Sequence, residues 1–329
     1  MKERVLITGA SGFVGYHLIQ EALKDDLEVY VAVRKSSKID HLKNLDIKYT
    51  YPDFDNIDAL VTEFNEKKYD YIIHAAGITK ARSVAEYNHI NADYTNNIAS
   101  AIVKNAHPVK KMVLISSLAA VGPLNTLEGI ITEDTLANPV TAYGKSKLLA
   151  EENLKTFSSL NYSILRPTGV YGPRDRDIFI FFKQVAKGIE PYIGNMQQKF
   201  SFIYVTDVAK AAVLALYAKD NQKTYNLSDG QYYDRYELGK LIKETLNLKT
   251  VKFHLPVIFV KFIALLSEKY SSLRNEAAVL NIEKLNELMA VNWYCDIKQA
   301  RSGIDFSPEH DLRAGVTKTL KWYKANKWL

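Results

Sequence analysis

Val5-Leu6-Ile7-Thr8-Gly9-Ala10-Ser11-Gly12-Phe13-Val14-Gly15 decides how the rest of the chain is read. A short apolar run ends in three glycines spaced GxxGxxG, and a helical pattern begins at Phe13. Gly9 permits a tight turn, Gly12 lets backbone approach a pyrophosphate at the helix N-terminus, and Gly15 lets helix and strand pack closely. Ser11, Phe13 and Val14 complete the candidate loop. A plain glycine-rich turn is the bland alternative. The place between a buried strand and an amphipathic helix, near the N-terminus, favours a dinucleotide site.

Moving outward, the second strand ends Val31-Ala32-Val33-Arg34-Lys35-Ser36-Ser37. An acid here would hydrogen-bond the adenosine ribose and favour NAD. Arg34 and Lys35 stand there instead, and a guanidinium suits the 2′-phosphate of NADP. A solvent-exposed basic turn is the competing reading. The expected cofactor is NADP(H), with NAD(H) second.

The same strand–helix alternation continues. Strands are expected at Arg4–Thr8, Glu28–Val33, Ile47–Tyr51, Tyr71–His74, Lys111–Ser116 and Tyr162–Arg166, with helices beginning near Phe13, Asn56, Ser83 and Thr141. Continuous apolar runs suit strands buried on both faces of a parallel sheet, and right-handed crossovers make it doubly wound. The expected fold is α/β: a Rossmann-type doubly wound parallel sheet over residues 1–167, with a smaller α/β substrate-binding cap over 168–329. Chain crossings between the two are expected. In the second half, strands are expected at Phe200–Val205 and Thr224–Leu227, and helices at Thr206–Lys219, Arg235–Leu246 and Leu312–Ala325.

Composition bounds the function. The 329 residues are 47% apolar and 24% charged, which suits a folded chain rather than a disordered one. The one cysteine, Cys295, makes neither an intramolecular disulfide nor a multi-cysteine metal site, and no metal is expected. With no signal-like N-terminus and no run long enough for a membrane span, a cytoplasmic protein is expected. Residues 1–164 carry 18 basic and 20 acidic side chains, whereas residues 165–329 carry 25 and 17. No nucleic-acid module accompanies that basic half, so a solvated basic face is expected and nucleic-acid binding is not.

Tyr143-Gly144-Lys145-Ser146-Lys147 has the spacing YxxxK. With 21 tyrosines and 33 lysines, chance alone supplies ~2 such pairs, so the spacing proves nothing by itself. Four occur: Tyr143/Lys147, Tyr236/Lys240, Tyr294/Lys298 and Tyr323/Lys327. Only the first opens a helix after the fifth strand, beyond Ser117 at that strand's C-terminal end; the others read as surface or packing pairs. A phenol titrates near ~10, too high for an efficient base at neutrality. An ammonium one helical turn away, with an oxidised nicotinamide, would favour tyrosinate. Lys147 could also hold the nicotinamide ribose, and Ser117 would hydrogen-bond the substrate oxygen while Tyr143 moves the proton.

With these stretches stand His74-Ala75-Ala76-Gly77, Asn91 in NADYTNN, ISSLAAVG (115–122), LRPTGVYGP (165–173) and YVTDVA (204–209). Together they resemble the extended short-chain dehydrogenases/reductases, the NAD-dependent epimerase/dehydratase superfamily. The resemblance covers nearly the whole chain. It implies catalytic places for Ser117, Tyr143 and Lys147. It also implies Asp53 and Phe54 by the adenine, Ala75, Ala76 and Gly77 along the cofactor, and Pro167 to Val170 near the nicotinamide. Asn91 matches a motif position read as structural. A homodimer through helices at about 83–106 and 141–158 is a further implication.

Departures narrow the branch. Family 4,6-dehydratases carry Asp-Glu after the catalytic hydroxyl residue, where this chain has Leu118-Ala119, so dehydration is not expected. Nucleotide-sugar epimerases usually place an Arg seven residues before the Asp of the VxD motif. Here that position is Phe200, beside Lys199, which lacks the bidentate fork of Arg. They also tend to have Asn where Thr168 or Gly169 follows Pro167. VAVRKSS and KFSFIYVTDVA resemble instead the dihydroflavonol reductase and 3β-hydroxysteroid dehydrogenase branch, whose members handle apolar ketones and alcohols. The apolar segment Pro256–Leu266 reads first as a packed core helix. Pocket lining is an alternative, as is partial exposure at a subunit or membrane surface. The leading expectation is an NADP(H)-dependent oxidoreductase interconverting a ketone or aldehyde with an alcohol on an apolar or mixed small molecule. The alternatives are a nucleotide-sugar 4-epimerase or reductase with tightly held NAD(P), and a non-catalytic NADP(H)-binding scaffold or redox sensor.

Overall fold

The computed structural model describes residues 2–274 and 281–329. Its strands are β1 (Arg4–Thr8), β2 (Glu28–Ala32), β3 (Lys48–Thr50), β4 (Tyr71–His74), β5 (Lys111–Ile115) and β6 (Tyr162–Pro167), then β7 (Gly169–Tyr171), β8 (Ile189–Ile193), β9 (Lys199–Phe200), β10 (Phe202–Tyr204), β11 (Lys223–Leu227), β12 (Tyr233–Asp234) and β13 (Val251–Leu255). The α-helices are α1 (Phe13–Lys24), α2 (Ile57–Lys67), α3 (Val84–Asn88), α4 (Tyr94–Lys104), α5 (Ala142–Lys155) and α6 (Phe179–Ala186), then α7 (Val205–Tyr217), α8 (Glu237–Leu246), α9 (Val257–Arg274), α10 (Ile282–Met289), α11 (Lys298–Gly303) and α12 (Leu312–Ala325).

Seven parallel strands form the main sheet in the order β11-β6-β5-β4-β1-β2-β3. Strand order reverses between β1 and β4, and a crevice opens there at the C-terminal ends of the strands. The continuous apolar runs have a direct cause: successive side chains enter opposite layers. Val5 and Ile7 of β1 pack towards α1 and α7, while Leu6 packs towards α2, α4 and α5. Ile73 and Ile72 of β4 divide the same way. Each such side chain, fully buried, contributes about 1.5–3 kcal/mol of apolar transfer. Helix starts are equally local. Asn56, Ser83 and Thr141 cap α2, α3 and α5 by accepting from the N–H groups of Ala59, Glu86 and Gly144.

The second half departs from the expected elements at two points, and it makes the expected crossing back into the main sheet. Phe200–Val205 is not one strand. Lys199–Phe200 pairs antiparallel with β12, Phe202–Tyr204 pairs parallel with β7, and Ser201 separates them while Val205 already begins α7. The strand at Lys223–Leu227 returns to the main sheet beside β6, and α7 packs on α1, so residues beyond 167 complete the nucleotide-side layers. Helix α9 is not a core helix: among its described apolar side chains only Val260 and Ala264 are buried, while Ile258, Phe259, Phe262, Ile263, Leu265 and Leu266 are exposed. A separate cluster built on Tyr171, Phe182, Leu241, Val316 and Tyr323 holds α6, α8 and α12 together. No helix among the described residues is long and apolar enough to cross a membrane.

Candidate active site

The crevice is stitched together at the bases of its two loops. Ala75 and Ala76 donate backbone N–H bonds to Thr8 Oγ1 at 3.1 and 3.0 Å. With both acceptor positions used, the Thr8 hydroxyl donates to His74 Nδ1 at 2.7 Å. That requires a neutral imidazole, and burial pushes His74 down to about 3. The hydrogen bonds hold the β4 loop against Gly9. At φ +69° Gly9 lies in the left-handed region, and a Cβ there would stand 2.4 Å from the Ala75 carbonyl oxygen. Gly12 caps α1 without any side-chain hydrogen bond, and no acid lies in the first turn. The free N–H groups and positive end of α1 therefore face the crevice with the character an anion needs. Ser11, Phe13 and Val14 are partly buried around this turn.

The adenine-side candidates lie further out. Arg34 and Lys35 are exposed beyond β2, where the Arg34 N–H donates to Ser37 Oγ at 3.1 Å. Asp53 accepts from the Asp55 N–H, and the Phe54 ring rests 5.3 Å from that of Tyr94.

The nicotinamide-side candidates converge from three elements. A Cβ on Gly77 would lie 3.0 Å from Asn91 Oδ1 and 3.4 Å from Lys147 Nζ, so the β4 loop touches both residues. Asn91 sits on a π-type turn, His89–Asp93, between α3 and α4. Its side chain accepts from the Ile78 N–H at 2.8 Å and donates to the Ile78 carbonyl at 3.1 Å and to Ser146 Oγ at 2.8 Å. Ser146 in turn donates to the Tyr143 carbonyl. Asn91 thus ties the β4 loop to the first turn of α5.

Lys147 is buried and donates to the Ile115 carbonyl at 2.8 Å. Burial lowers its ammonium to about 8, and Glu151 one turn later pulls the other way. Burial pushes the Tyr143 phenol up to about 12, against a hydrogen bond from Ser117 that lowers it. The expected tyrosinate is therefore not the state of the protein alone: desolvation outweighs the stabilisation on offer, and the Lys147 ammonium is engaged with Ile115.

Beneath Lys147 lies a buried network with no signal in the sequence. Arg166 of β6 donates through Nε and Nη2 to Glu151 at 3.0 and 2.6 Å, and Ser116 Oγ donates to the same carboxylate at 2.5 Å. This bolts α5 to β5 and β6 and sets where Tyr143 and Lys147 stand.

Ser117 and Tyr143 open on a cavity of about 160 Å³. Its walls are largely apolar: Leu118, Ala119, Pro167, Phe200, Phe202, Leu288 and Trp293, with Thr168, Gly169, Ser201 and Glu287 among them. Val170 lies just beyond, on β7. The Lys199 ammonium lies 4.6 Å from the Tyr232 ring centroid. Glu287, Leu288 and Trp293 come from α10 and the loop after it, more than 140 residues from Tyr143, and nothing in the sequence pointed to them. The other YxxxK pairs lie elsewhere: Tyr236 bonds His254 and Lys240 bonds Glu237, while buried Tyr323 bonds the carbonyls of Gly172 and Asp175. Asp207, Glu309 and His310 also cluster, but their atoms are taken up among themselves and by Lys210 and Lys318.

Residues 5–228 match the NAD dependent epimerase/dehydratase family. The chain belongs to that family. It is accordingly an NAD(P)-dependent enzyme of the extended short-chain dehydrogenase type. A putative UDP-glucose 4-epimerase of Methanocaldococcus jannaschii is 29% identical over 338 residues, covering 98% of this chain and 99% of that protein. The ceramide reductase of Caulobacter vibrioides is 27% identical over 327 residues, covering 99% and 96%. The crystal structure of UDP-glucose 4-epimerase from Thermotoga maritima, with UDP-glucose, shares the fold at a TM-score of 0.80 and 20% identity, covering 98% of this chain and 99% of that one.

Proposed function

We propose that this family member is an NADP(H)-dependent oxidoreductase that interconverts a ketone or aldehyde with an alcohol on an apolar or mixed small molecule. The observation that carries the substrate class is Phe200 in the cavity wall beside Phe202, Leu288 and Trp293. A diphosphate placed there would lose its hydration against aromatic rings with no guanidinium to replace it. The Caulobacter relative, a ceramide reductase by name, supports an apolar substrate.

The residues present fit a dinucleotide. The uncapped N-terminus of α1, with Gly9, Ser11, Gly12, Phe13 and Val14, would take the pyrophosphate, and Arg34 and Lys35 the 2′-phosphate. Asp53 and Phe54 would flank the adenine, while Ala75, Ala76, Gly77, Pro167 and Val170 would flank the remainder. When bound, the nicotinamide supplies the hydride chemistry. Ser117 would hold the substrate oxygen by a hydrogen bond, and the Tyr143 phenol, protonated in the protein alone, would deliver its proton to that oxygen during reduction. Lys147, against Gly77, would hold the ribose hydroxyls and add positive charge beside the phenol as it gives up its proton. Residues 1–167 with α7 and β11 would form the cofactor layer, and the remainder the substrate cap. A cytoplasmic homodimer through the helices at about 83–106 (α3 and α4) and 141–158 (α5) completes this reading.

Nucleotide-sugar epimerisation is the second reading, favoured by the Methanocaldococcus relative. A panel of apolar ketones and aldehydes with NADPH separates the two. The proposal expects NADPH oxidation on at least one, lost by about 10²–10⁴-fold in Tyr143→Phe while cofactor binding persists. No turnover on the panel together with detectable UDP-sugar binding would replace it with the epimerase reading.

A further inference from the structure

Helix α9 is built inside out. Its inward stripe is narrow and small, Val260 and Ala264 with partly buried Ser267 and Ser271, whereas its bulky apolar side chains point to solvent. Ile258, Phe259, Phe262, Ile263, Leu265 and Leu266 share one face at helical spacing, with exposures of 80% at Ile258 and 59% at Phe262. Tyr270 extends that face towards the C-terminal end. Scattered exposed apolar residues are ordinary, but a contiguous face of this kind marks an interaction surface.

The charges around it say what covers it. Residues 249–274 contain Lys249, Lys252, Lys261, Lys269 and Arg274 against one carboxylate, Glu268. That carboxylate is not on the outward face: Glu268 Oε1 accepts from the Ile282 N–H at 2.9 Å, tying α9 to α10. Lys261 and Lys269 are exposed, and the Arg274 guanidinium lies 4.6 Å from the Tyr270 ring centroid. A second copy of the chain meeting this face across a two-fold axis would bring these cations towards their own symmetry mates, with no acid among the described residues of the face to pair them. An anionic lipid surface meets both demands. Large apolar side chains enter the acyl boundary, and Lys and Arg stems reach back to the headgroups.

We propose that α9 is an in-plane membrane anchor that seats the protein on an anionic bilayer. The anchor is coupled to the site through α10. Glu283 accepts from the Ala142 N–H at the start of α5, and Glu287 and Leu288 wall the cavity that holds Ser117 and Tyr143. Docking at α9 therefore places the cavity one helix from the lipid surface, whichever reaction the site performs.

Co-sedimentation of the full chain with phosphatidylglycerol and phosphatidylcholine vesicles tests this. The wild type is expected to pellet with phosphatidylglycerol vesicles, about tenfold or more less with phosphatidylcholine, and less as salt rises. Ile258→Glu/Phe262→Glu should reduce pelleting by about tenfold or more, and Lys261→Glu/Lys269→Glu should erase the preference for anionic lipid. Both pairs are exposed, so unchanged thermal unfolding midpoints are expected. Wild type left in the supernatant with phosphatidylglycerol, or a double variant that pellets like the wild type, overturns the anchor. So does an α9-dependent dimer in sedimentation equilibrium without vesicle binding, which would assign the face to a second copy.

Discussion

Two side chains carry predictions that other residues do not share. Arg34 is exposed beyond β2, with its backbone N–H held by Ser37 and no ion pair among the described residues. Charge-assisted hydrogen bonds to a phosphate are worth about 1.5–3 kcal/mol, so Arg34→Asp should weaken NADPH by roughly tenfold to a hundredfold and favour NADH. A fluorescence titration reads both constants, and an unchanged NADPH/NADH ratio would defeat the role given to Arg34. Lys147 makes a statement about pH. Its folded value, about 8, lies below the ordinary 10.5 because burial penalises the ammonium. Between those values the unfolded chain binds more protons, so stability rises with pH there; the penalty is full below pH 8 and gone above 10.5. Urea unfolding of wild type and Lys147→Met should therefore diverge in favour of the wild type by about 2–3 kcal/mol from pH 7 to pH 10. A pH-independent difference would mean that the Lys147 ammonium is not desolvated. Gly9 and Gly12 were legible as candidates from their local spacing, whereas Ser117, Tyr143 and Lys147 were legible only from their place at and after the fifth strand. The direction of the Tyr143 shift was not legible, since it depends on burial set by the tertiary fold rather than on local spacing.

At the scale of elements, α5 is the part on which the site rests. Thr141 caps it, Glu283 accepts from its Ala142 N–H, Asn91 reaches it through Ser146, and Glu151 bonds it to Ser116 and Arg166. Removing one partner of a buried ion pair leaves the other charge unpaired, at about 3–5 kcal/mol. Glu151→Ala should therefore lower the free energy of urea unfolding by an amount of that order, because Arg166 stays buried without its carboxylate. A loss under 1 kcal/mol would mean that water reaches Arg166 and that the network does not hold α5. Strands β1, β4 and β5 could be placed from sequence to within a residue, since burial on both faces leaves an uninterrupted apolar run. Phe200–Val205 misled for the same reason. Six mostly apolar residues look like one strand, but Ser201 sits where the chain leaves one small sheet for another. Helix α9 misled more deeply. Apolar content reports that a face will be covered, not by what, and among the described apolar side chains of α9 the protein's own core covers only Val260 and Ala264.

The whole molecule joins a legible half to a half that only the fold could reveal. Strand order places the glycine loop of β1 and the Ala75–Gly77 loop of β4 at the one reversal in the sheet, as the alternating pattern implied. The cavity proposed to take the substrate instead gathers Phe200, Leu288 and Trp293 around Ser117 and Tyr143 from segments with no sequence register between them. Contacts over such separations follow from tertiary packing and leave no local periodicity to read. That apolar cavity, together with Arg34, separates the two readings by their cofactor traffic. A reductase releases its nucleotide each cycle, whereas an epimerase returns hydride to a nucleotide it keeps. The direct test is to denature freshly purified protein, quantify the nucleotide released, and titrate the emptied protein with NADPH and NADH. Little retained nucleotide and tighter binding of NADPH are expected of an NADP(H)-dependent reductase. Near-stoichiometric NAD(H) carried through purification would contradict it and make nucleotide-sugar epimerisation the reading to pursue.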